Sequence, residues 1–286
     1  MNPRRNDNVA AVICAAGASS RMGGLKKEYR PLPSGSGLTV LGAAVSAFAQ
    51  IPEIKTIVIA VPPVEGEAAA RNAMSPQLLA GKNGPAIHFV GGGATRQASV
   101  FNALFLLAEK APPDFVLIHD GARPWVSQTL IGRIIAETKK CRAAIPLLPL
   151  TETPKETDGE WGMGSGEWGT ADCASLRGVD ERMSHVPAQE ESAASSKVRP
   201  PLGGRECCGQ GTMLIKRHLK RAFVGAAQTP QGFAFPEILA AHQQAAAQGA
   251  HIEYTDDAEV WAAFCGPVAA IPGEGENHKI TFPEDL

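Results

Sequence analysis

The chain has 286 residues, 44% of them hydrophobic and 20% charged, with a formal net charge of -2 at pH 7. This is the profile of a soluble globular protein with material for one large α/β domain or two small ones, and it excludes a general affinity for nucleic acid, which needs a strongly basic surface. Six cysteines, at 14, 141, 173, 207, 208 and 265, form no C-x-x-C pair and no zinc-type spacing with His, so free thiols in a reducing cytoplasm are expected. No run approaches the roughly 20 apolar residues of a membrane span, and "MNPRRNDN" leads into too short an apolar run for a secretory signal.

In chain order, four apolar, β-branched runs predict strands: "VAAVICAA" (9–16), "TIVIAV" (56–61), "AIHFVG" (86–91) and "FVLIHD" (115–120). They are continuous rather than alternating, as in a parallel sheet covered on both faces. Between them lie helix-compatible segments at 40–50, 66–80 and 95–110, the last placing Val100, Leu104 and Leu107 on one stripe. Strand alternating with helix predicts a doubly wound, mostly parallel Rossmann-like sheet, whose ligands collect at the carboxyl ends of strands.

Beyond 143–156 the character changes. Residues 157–211 repeat "GEWG" and are rich in Gly, Ser, Pro and Glu without apolar periodicity. Such a segment buries too little apolar surface to offset its ordering entropy, so a largely flexible insertion is expected, with a Trp-rich recognition loop as the functional rival. Order returns from 213, followed by a helix at 235–248 that Gly249 can cap, a helix from about 257 to 265, a short strand at 268–271 and a polar tail. A single domain over 1–286 carrying the insertion is favoured over two.

The turn "AAGASSR" after the first strand lets a ligand approach the main chain closely, and Arg21, Lys26 and Lys27 follow it. The spacing fits neither a P-loop nor a dinucleotide fingerprint. Alone, the stretch reads equally as an anion site or as a tight turn with solvated cations. Asp120 and Arg123 of "IHDGARP" stand at a strand's carboxyl end; the acid suits Mg²⁺, substrate hydroxyls or a local turn, and His119 reads as a structural histidine.

Six ordered motifs carry a resemblance: A-A-G-x-x-x-R-M-G-x-x-K-K, "GGGATRQASV", "VLIHDGARP", "TPQGF", "TDDA" and "NHKITFPEDL". Together they are similar to the 2-C-methyl-D-erythritol 4-phosphate cytidylyltransferase family of the non-mevalonate isoprenoid route, along nearly the whole chain outside 157–211. The resemblance implies a nucleotidyltransferase fold with a β-arm exchanged in a homodimer, and CTP, a sugar-alcohol phosphate and Mg²⁺ as ligands. It implies main-chain contacts to CTP from Ala15, Ala16 and Gly17, cytosine recognition by Gly93 and Ser99, and transition-state charge stabilisation by Arg21 and Lys27. Arg221 and Lys279 would position the attacking phosphate, and Asp120, Arg123, Thr153, Thr229 and Thr255 would bind the acceptor, with Asp120 the candidate metal contact.

The chain departs from the family pattern at Lys26, where proline is usual, at Glu28, where glutamine is usual, and at Ala94 and Gly121. Lys26 adds charge next to the triphosphate site, with a salt bridge to Glu28 or plain solvation as equal alternatives. The end at "FPEDL", where relatives continue into a helix, is read as that of a trimmed or fused enzyme. Rival readings are a ribitol 5-phosphate cytidylyltransferase, a catalytically silent nucleotide-binding protein of the same fold and, weakly because the glycine spacing fails, an NAD-dependent dehydrogenase.

Overall fold

The computed structural model describes residues 7–17, 19, 26–33, 37–80, 84–157, 215–249 and 254–286. The chain divides into two compact units, residues 1–149 with 225–286, and residues 150–224. The proposed insertion at 157–211, with its repeated "GEWG", lies outside the described residues save for Thr157.

In the first unit, the four predicted strands form as β1 (Val9–Cys14), β2 (Ile54–Val61), β3 (Ala86–Gly91) and β4 (Phe115–Asp120). β1 pairs in parallel with β2 and β4, and β2 with β3. In β1, β2 and β4 the continuous apolar pattern is covered on both faces, with Val9, Val12, Ile13, Val58, Ile59, Leu117 and Ile118 buried; β3, at the end of the sheet, is only partly covered, contrary to expectation. The helices that return the chain are α1 (Val40–Ala49), α2 (Gly66–Asn72), α3 (Pro76–Ala80) and α4 (Arg96–Lys110). The segment expected as one helix over 66–80 is thus two, because Pro76 has no N–H to donate and disfavours helical geometry in the residue before it.

Sequence reading passed over α5 (Gln128–Cys141) and β5 (Ala143–Pro149), and over the antiparallel strands β8 (Gly225–Ala227) and β9 (Gln231–Ala234). β9 inserts antiparallel between β4 and β5. The sheet order is β10-β5-β9-β4-β1-β2-β3, with β10 (Ala269–Pro272) at one end and β8 on β5. α6 (Phe235–Ala247) and α7 (Asp257–Phe264) pack on each other, and α6 packs on α4. Gly249 sits just past α6 at φ +82°, the left-handed conformation that ends helices. The second unit holds the antiparallel hairpin β6 (Lys155–Thr157) with β7 (Ile215–His218). Among the described residues, no helix is long and apolar enough to cross a membrane.

The end of β4 is fixed from beneath by a hydrogen-bond chain. The Asp120 N–H donates to Thr229 Oγ1 (3.1 Å), whose hydroxyl lies 2.9 Å from His119 Nδ1, and His119 Nε2 lies 3.1 Å from the Arg123 carbonyl. A carbonyl only accepts, so Nε2 carries the proton and Nδ1 accepts from Thr229. His119 is therefore structural, packed with its ring centroid 4.9 Å from that of Phe48. The C-terminal segment is latched over the same strand: Asn277 Nδ2 donates to the Thr229 carbonyl (2.7 Å) and Gln228 Nε2 to the carbonyls of Glu274 and Asn277.

Two outcomes follow from this packing. Leu104 is fully buried on α4 and its neighbour Phe105 is 48% exposed; Leu104→Ala should cost about 3 kcal/mol in urea unfolding and Phe105→Ala about 0.5 kcal/mol or less. Burial lowers the His119 pKa from 6.5 to about 4. The unfolded state then takes up a proton that the folded state refuses, so stability falls as pH drops from 6.5 towards 4. Over that window the wild-type stability curve should be steeper than that of His119→Gln by about 1 kcal/mol per pH unit.

Candidate active site

β1 and β4 run in register, with Cys14 opposite Asp120. From β1 the chain moves to β2 on one side, and β5 lies on the other side of β4, so the strand order reverses between them. Such a switch point leaves a crevice outside the carboxyl ends. A cleft of about 440 Å³ opens there. It is lined by Ala16, Gly17 and Ser19 after β1, Lys27 and Glu28, the segment Gly93 to Arg96 with Ser99, Asp120 of β4, and Lys279 and Thr281.

The loop after β1 is held by its own side chains. Lys26 Nζ donates to the carbonyl oxygens of Gly17 and, at 3.3 Å, Ala16, in place of the expected pairing with Glu28 or solvent. Glu28, buried, accepts from Ser19 Oγ at 3.2 Å. Lys27 opens a 3₁₀ turn (Lys27–Tyr29), and its Nζ donates to the Ile280 carbonyl at 2.7 Å, tying the loop to the C-terminal segment. The Ala15 N–H is spent on Ala60 of β2 and the residue is fully buried, so the main-chain contact to CTP expected of Ala15 is not open in this structure.

The opposite wall requires glycine. A Cβ on Gly92 would stand 2.3 Å from the Ala16 Cβ, and one on Gly93 2.4 Å from the Ala98 Cβ. Ser99 accepts from the Gly93 N–H (3.0 Å) and donates to the Thr95 carbonyl (2.9 Å). Its hydroxyl keeps one acceptor lone pair.

Charge concentrates on Asp120. Lys279 Nζ lies 2.9 Å and Arg123 Nε 3.7 Å from Oδ2, and Arg96 Nε lies 3.4 Å from Oδ1. Burial by itself would raise this carboxyl, but Lys279 and then Arg96 outweigh it and hold it well below the usual carboxylate range. Arg123 also donates to the Asn277 carbonyl at 2.6 Å. Burial pushes the Cys14 thiol up to about 12, so it is no nucleophile at neutral pH.

The cleft therefore gathers Ala16, Gly17, Lys27, Gly93, Ser99, Asp120 and Lys279, with Arg123 bound to Asp120 behind it. Arg21 lies outside the described residues. Thr229 is buried with its hydroxyl committed to Asp120 and His119, and Thr255 is exposed at the start of α7, donating to Glu259 Oε2 at 2.9 Å. Thr153 and Arg221 belong to the second unit, where the Arg221 guanidinium donates to the Thr151 carbonyl. Arg96 was missed although it stands inside a quoted motif, because its acidic partners, Asp120 and Asp257, are distant in sequence.

Among the described residues no group of three or more His, Cys, Asp and Glu side chains could hold a metal. The cleft's acids are Glu28 and Asp120. That set suits Mg²⁺ brought in on phosphate oxygens with at most one carboxylate added, which is how Mg²⁺ is commonly held.

Comparison with known proteins agrees with this architecture. The family model for IspD, 2-C-methyl-D-erythritol 4-phosphate cytidylyltransferase, matches residues 9–180 and 207–286. The bifunctional enzyme IspD/IspF of Nitrobacter winogradskyi is 35% identical over 97% of this chain and 54% of its own length. That of Bradyrhizobium diazoefficiens is 34% identical over 99% and 55%. The chain thus spans about half the length of these curated relatives. The crystal structure of 2-C-methyl-D-erythritol 4-phosphate cytidylyltransferase from Thermus thermophilus superposes with a TM-score of 0.60 at 27% identity, over 97% of this chain and 95% of that one. The 4-diphosphocytidyl-2C-methyl-D-erythritol synthase of Anaerococcus prevotii, at 23% identity, shares the fold with a TM-score of 0.66 over 98% and 93% of the two chains. With residues 9–180 and 207–286 matched by its family model, the chain belongs to the 2-C-methyl-D-erythritol 4-phosphate cytidylyltransferase family.

Proposed function

We propose that this chain transfers CMP from CTP to 2-C-methyl-D-erythritol 4-phosphate, giving 4-diphosphocytidyl-2-C-methyl-D-erythritol and pyrophosphate, in isoprenoid precursor synthesis in the cytoplasm. The observation that carries this reading is the switch-point cleft, which sets Lys27, Arg96 and Lys279 against a glycine wall bearing Ser99. The acceptor's phosphate oxygen attacks the α-phosphorus of CTP and pyrophosphate leaves. The protein's part is alignment and positive charge, without a covalent intermediate.

In this reading, Lys27, with Arg21, faces the charge that grows on the α-phosphate, where fixed cations act most strongly. The free lone pair of Ser99 accepts from the amino group of cytosine and would meet the carbonyl of uracil with repulsion. The main chain of Ala16, Gly17 and Gly93 completes the nucleotide contacts. Lys279, with Arg221, orients the acceptor phosphate, and Asp120, Arg123, Thr153 and Thr255 serve the acceptor. Thr229 contributes by holding Asp120 and His119. Mg²⁺ on the phosphates would neutralise charge and orient the leaving group.

The hairpin unit is assigned as a dimerisation arm that gives each active site residues from two copies. Its exposed Phe223 (85%) and Ile215 (53%) supply apolar surface for a second copy to cover.

Pyrophosphate release is the direct test. With CTP and Mg²⁺, turnover is expected with 2-C-methyl-D-erythritol 4-phosphate and at least 10²-fold less with ribitol 5-phosphate, because an acceptor pocket built on hydrogen bonds discriminates strongly. Equal turnover with ribitol 5-phosphate would reassign the acceptor, and none with either would remove the activity. Lys27→Ala should lower kcat by about 10²- to 10³-fold while circular dichroism stays native.

A further inference from the structure

Arg96 opens α4 and lines the cleft with its side chain 30% exposed, and two buried carboxylates share it. Asp257 Oδ2 lies 2.8 Å from Nη1, and Asp120 Oδ1 lies 3.4 Å from Nε. The hydrogen bond and the ion pairs given for Arg96 run through Nε and Nη1, and the rest of its side chain's exposed surface faces the cleft. Asp257 is itself 1% exposed, and on its other oxygen, Oδ1, stands the buried His242, with Nε2 at 3.2 Å. Asp257 Oδ2 and both His242 nitrogens make no aligned hydrogen bond, so these are close contacts held by packing and, for Arg96, by charge.

A buried carboxylate is costly, so the local reasons for keeping one matter. The start of α7 does not need it. Asp256 caps that helix by accepting from the Glu259 N–H (2.9 Å), and Gln231 bridges Asp256 and the Ala258 N–H, at 2.7 and 3.0 Å. Asp257 instead makes the nearer of the two contacts to Arg96. The Arg96 to Asp120 contact is then the longer of the two, leaving Asp120 to pair more closely with Lys279 at 2.9 Å.

We propose that Asp257 is a positioning residue: it holds the Arg96 guanidinium between two carboxylates so that the part exposed in the cleft binds an oxygen of the nucleotide. Without it, Arg96 closes onto Asp120, withdraws from the nucleotide and competes with Lys279. This inference rests on the cytidylyltransferase reading of the cleft.

The test is CTP binding by calorimetry with Mg²⁺ and no acceptor, for the wild type, Arg96→Gln, Asp257→Asn and the double variant. Each single change should weaken CTP binding about tenfold or more. The double variant should bind no more weakly than Arg96→Gln alone, because one acts through the other. In turnover, the KM for CTP should rise by more than the KM for the acceptor, which feels the change only through Asp120 and Lys279. A purely structural Asp257 would lower the melting temperature and add its loss to that of Arg96→Gln; that additivity, or wild-type CTP affinity in Asp257→Asn, overturns the proposal. Should Asp257→Asn fail to fold, Arg96→Lys serves, since an ammonium cannot span both carboxylates and still present itself to the cleft. It should bind CTP as poorly as Arg96→Gln, and wild-type affinity in it would overturn the proposal. A wild type that binds no CTP refutes the nucleotide reading itself, which separates the two failures.

Discussion

The ionised carboxylate of Asp120, buried at the carboxyl end of β4, is the constraint around which the first unit is arranged. A charge there is tolerable only if cations reach it, and they come from three places: Arg123 just beyond the strand, Arg96 at the start of α4, and Lys279 from the C-terminal segment. Each of these segments must be delivered to the same spot. The latch of Gln228 and Asn277 delivers the last of them, and Thr229 with His119 fixes the backbone of Asp120 from below. The electrostatics of the cleft and the closure of the fold are therefore one problem with one solution.

The loop after β1 meets the cleft under a different constraint. Its small residues leave room for an anion at the main chain, but room alone does not define a shape. Lys26 on the carbonyls of Ala16 and Gly17, and Ser19 on Glu28, supply the missing ties. Lys26, which reads as a bystander in sequence, is thus part of the loop's own framework. Lys27 anchors that loop to Ile280, so the loop and the Asp120 end of β4 both depend on the same C-terminal segment.

The strands β1, β2 and β4 were legible because each is buried on both faces and so carries an unbroken apolar run, whereas β3, at the end of the sheet, carries its run half-exposed. The stripe on α4 was legible for a related reason, since Val100, Leu104 and Leu107 face the core together. β9 was not, because the four residues Gln231–Ala234 carry a glycine and take their strand form from β4 and β5 on either side. α5 was passed over although its apolar residues, Leu130, Ile131, Ile134 and Ile135, follow helical spacing. Of the site, Lys27, Asp120, Ser99 and Lys279 were found through motifs and meet in the cleft. Arg96 and Asp257 were not singled out, since their significance lies in a pairing across α4 and α7.

By itself, the sequence determined the chemical inventory and the local geometry: which runs are buried strands, where a small-residue turn admits an anion, and which family the ordered motifs resemble. Those features depend on neighbours within a few residues, so they survive being read along a line. Only the tertiary structure decided which hydroxyls and charges remain available to a ligand. Thr229 is spent on Asp120 and His119, the Ala15 N–H is spent on the sheet, and Arg96 is shared between two acids. Availability is set by hydrogen bonds and ion pairs formed between distant segments, and such pairings exist only once the chain has folded.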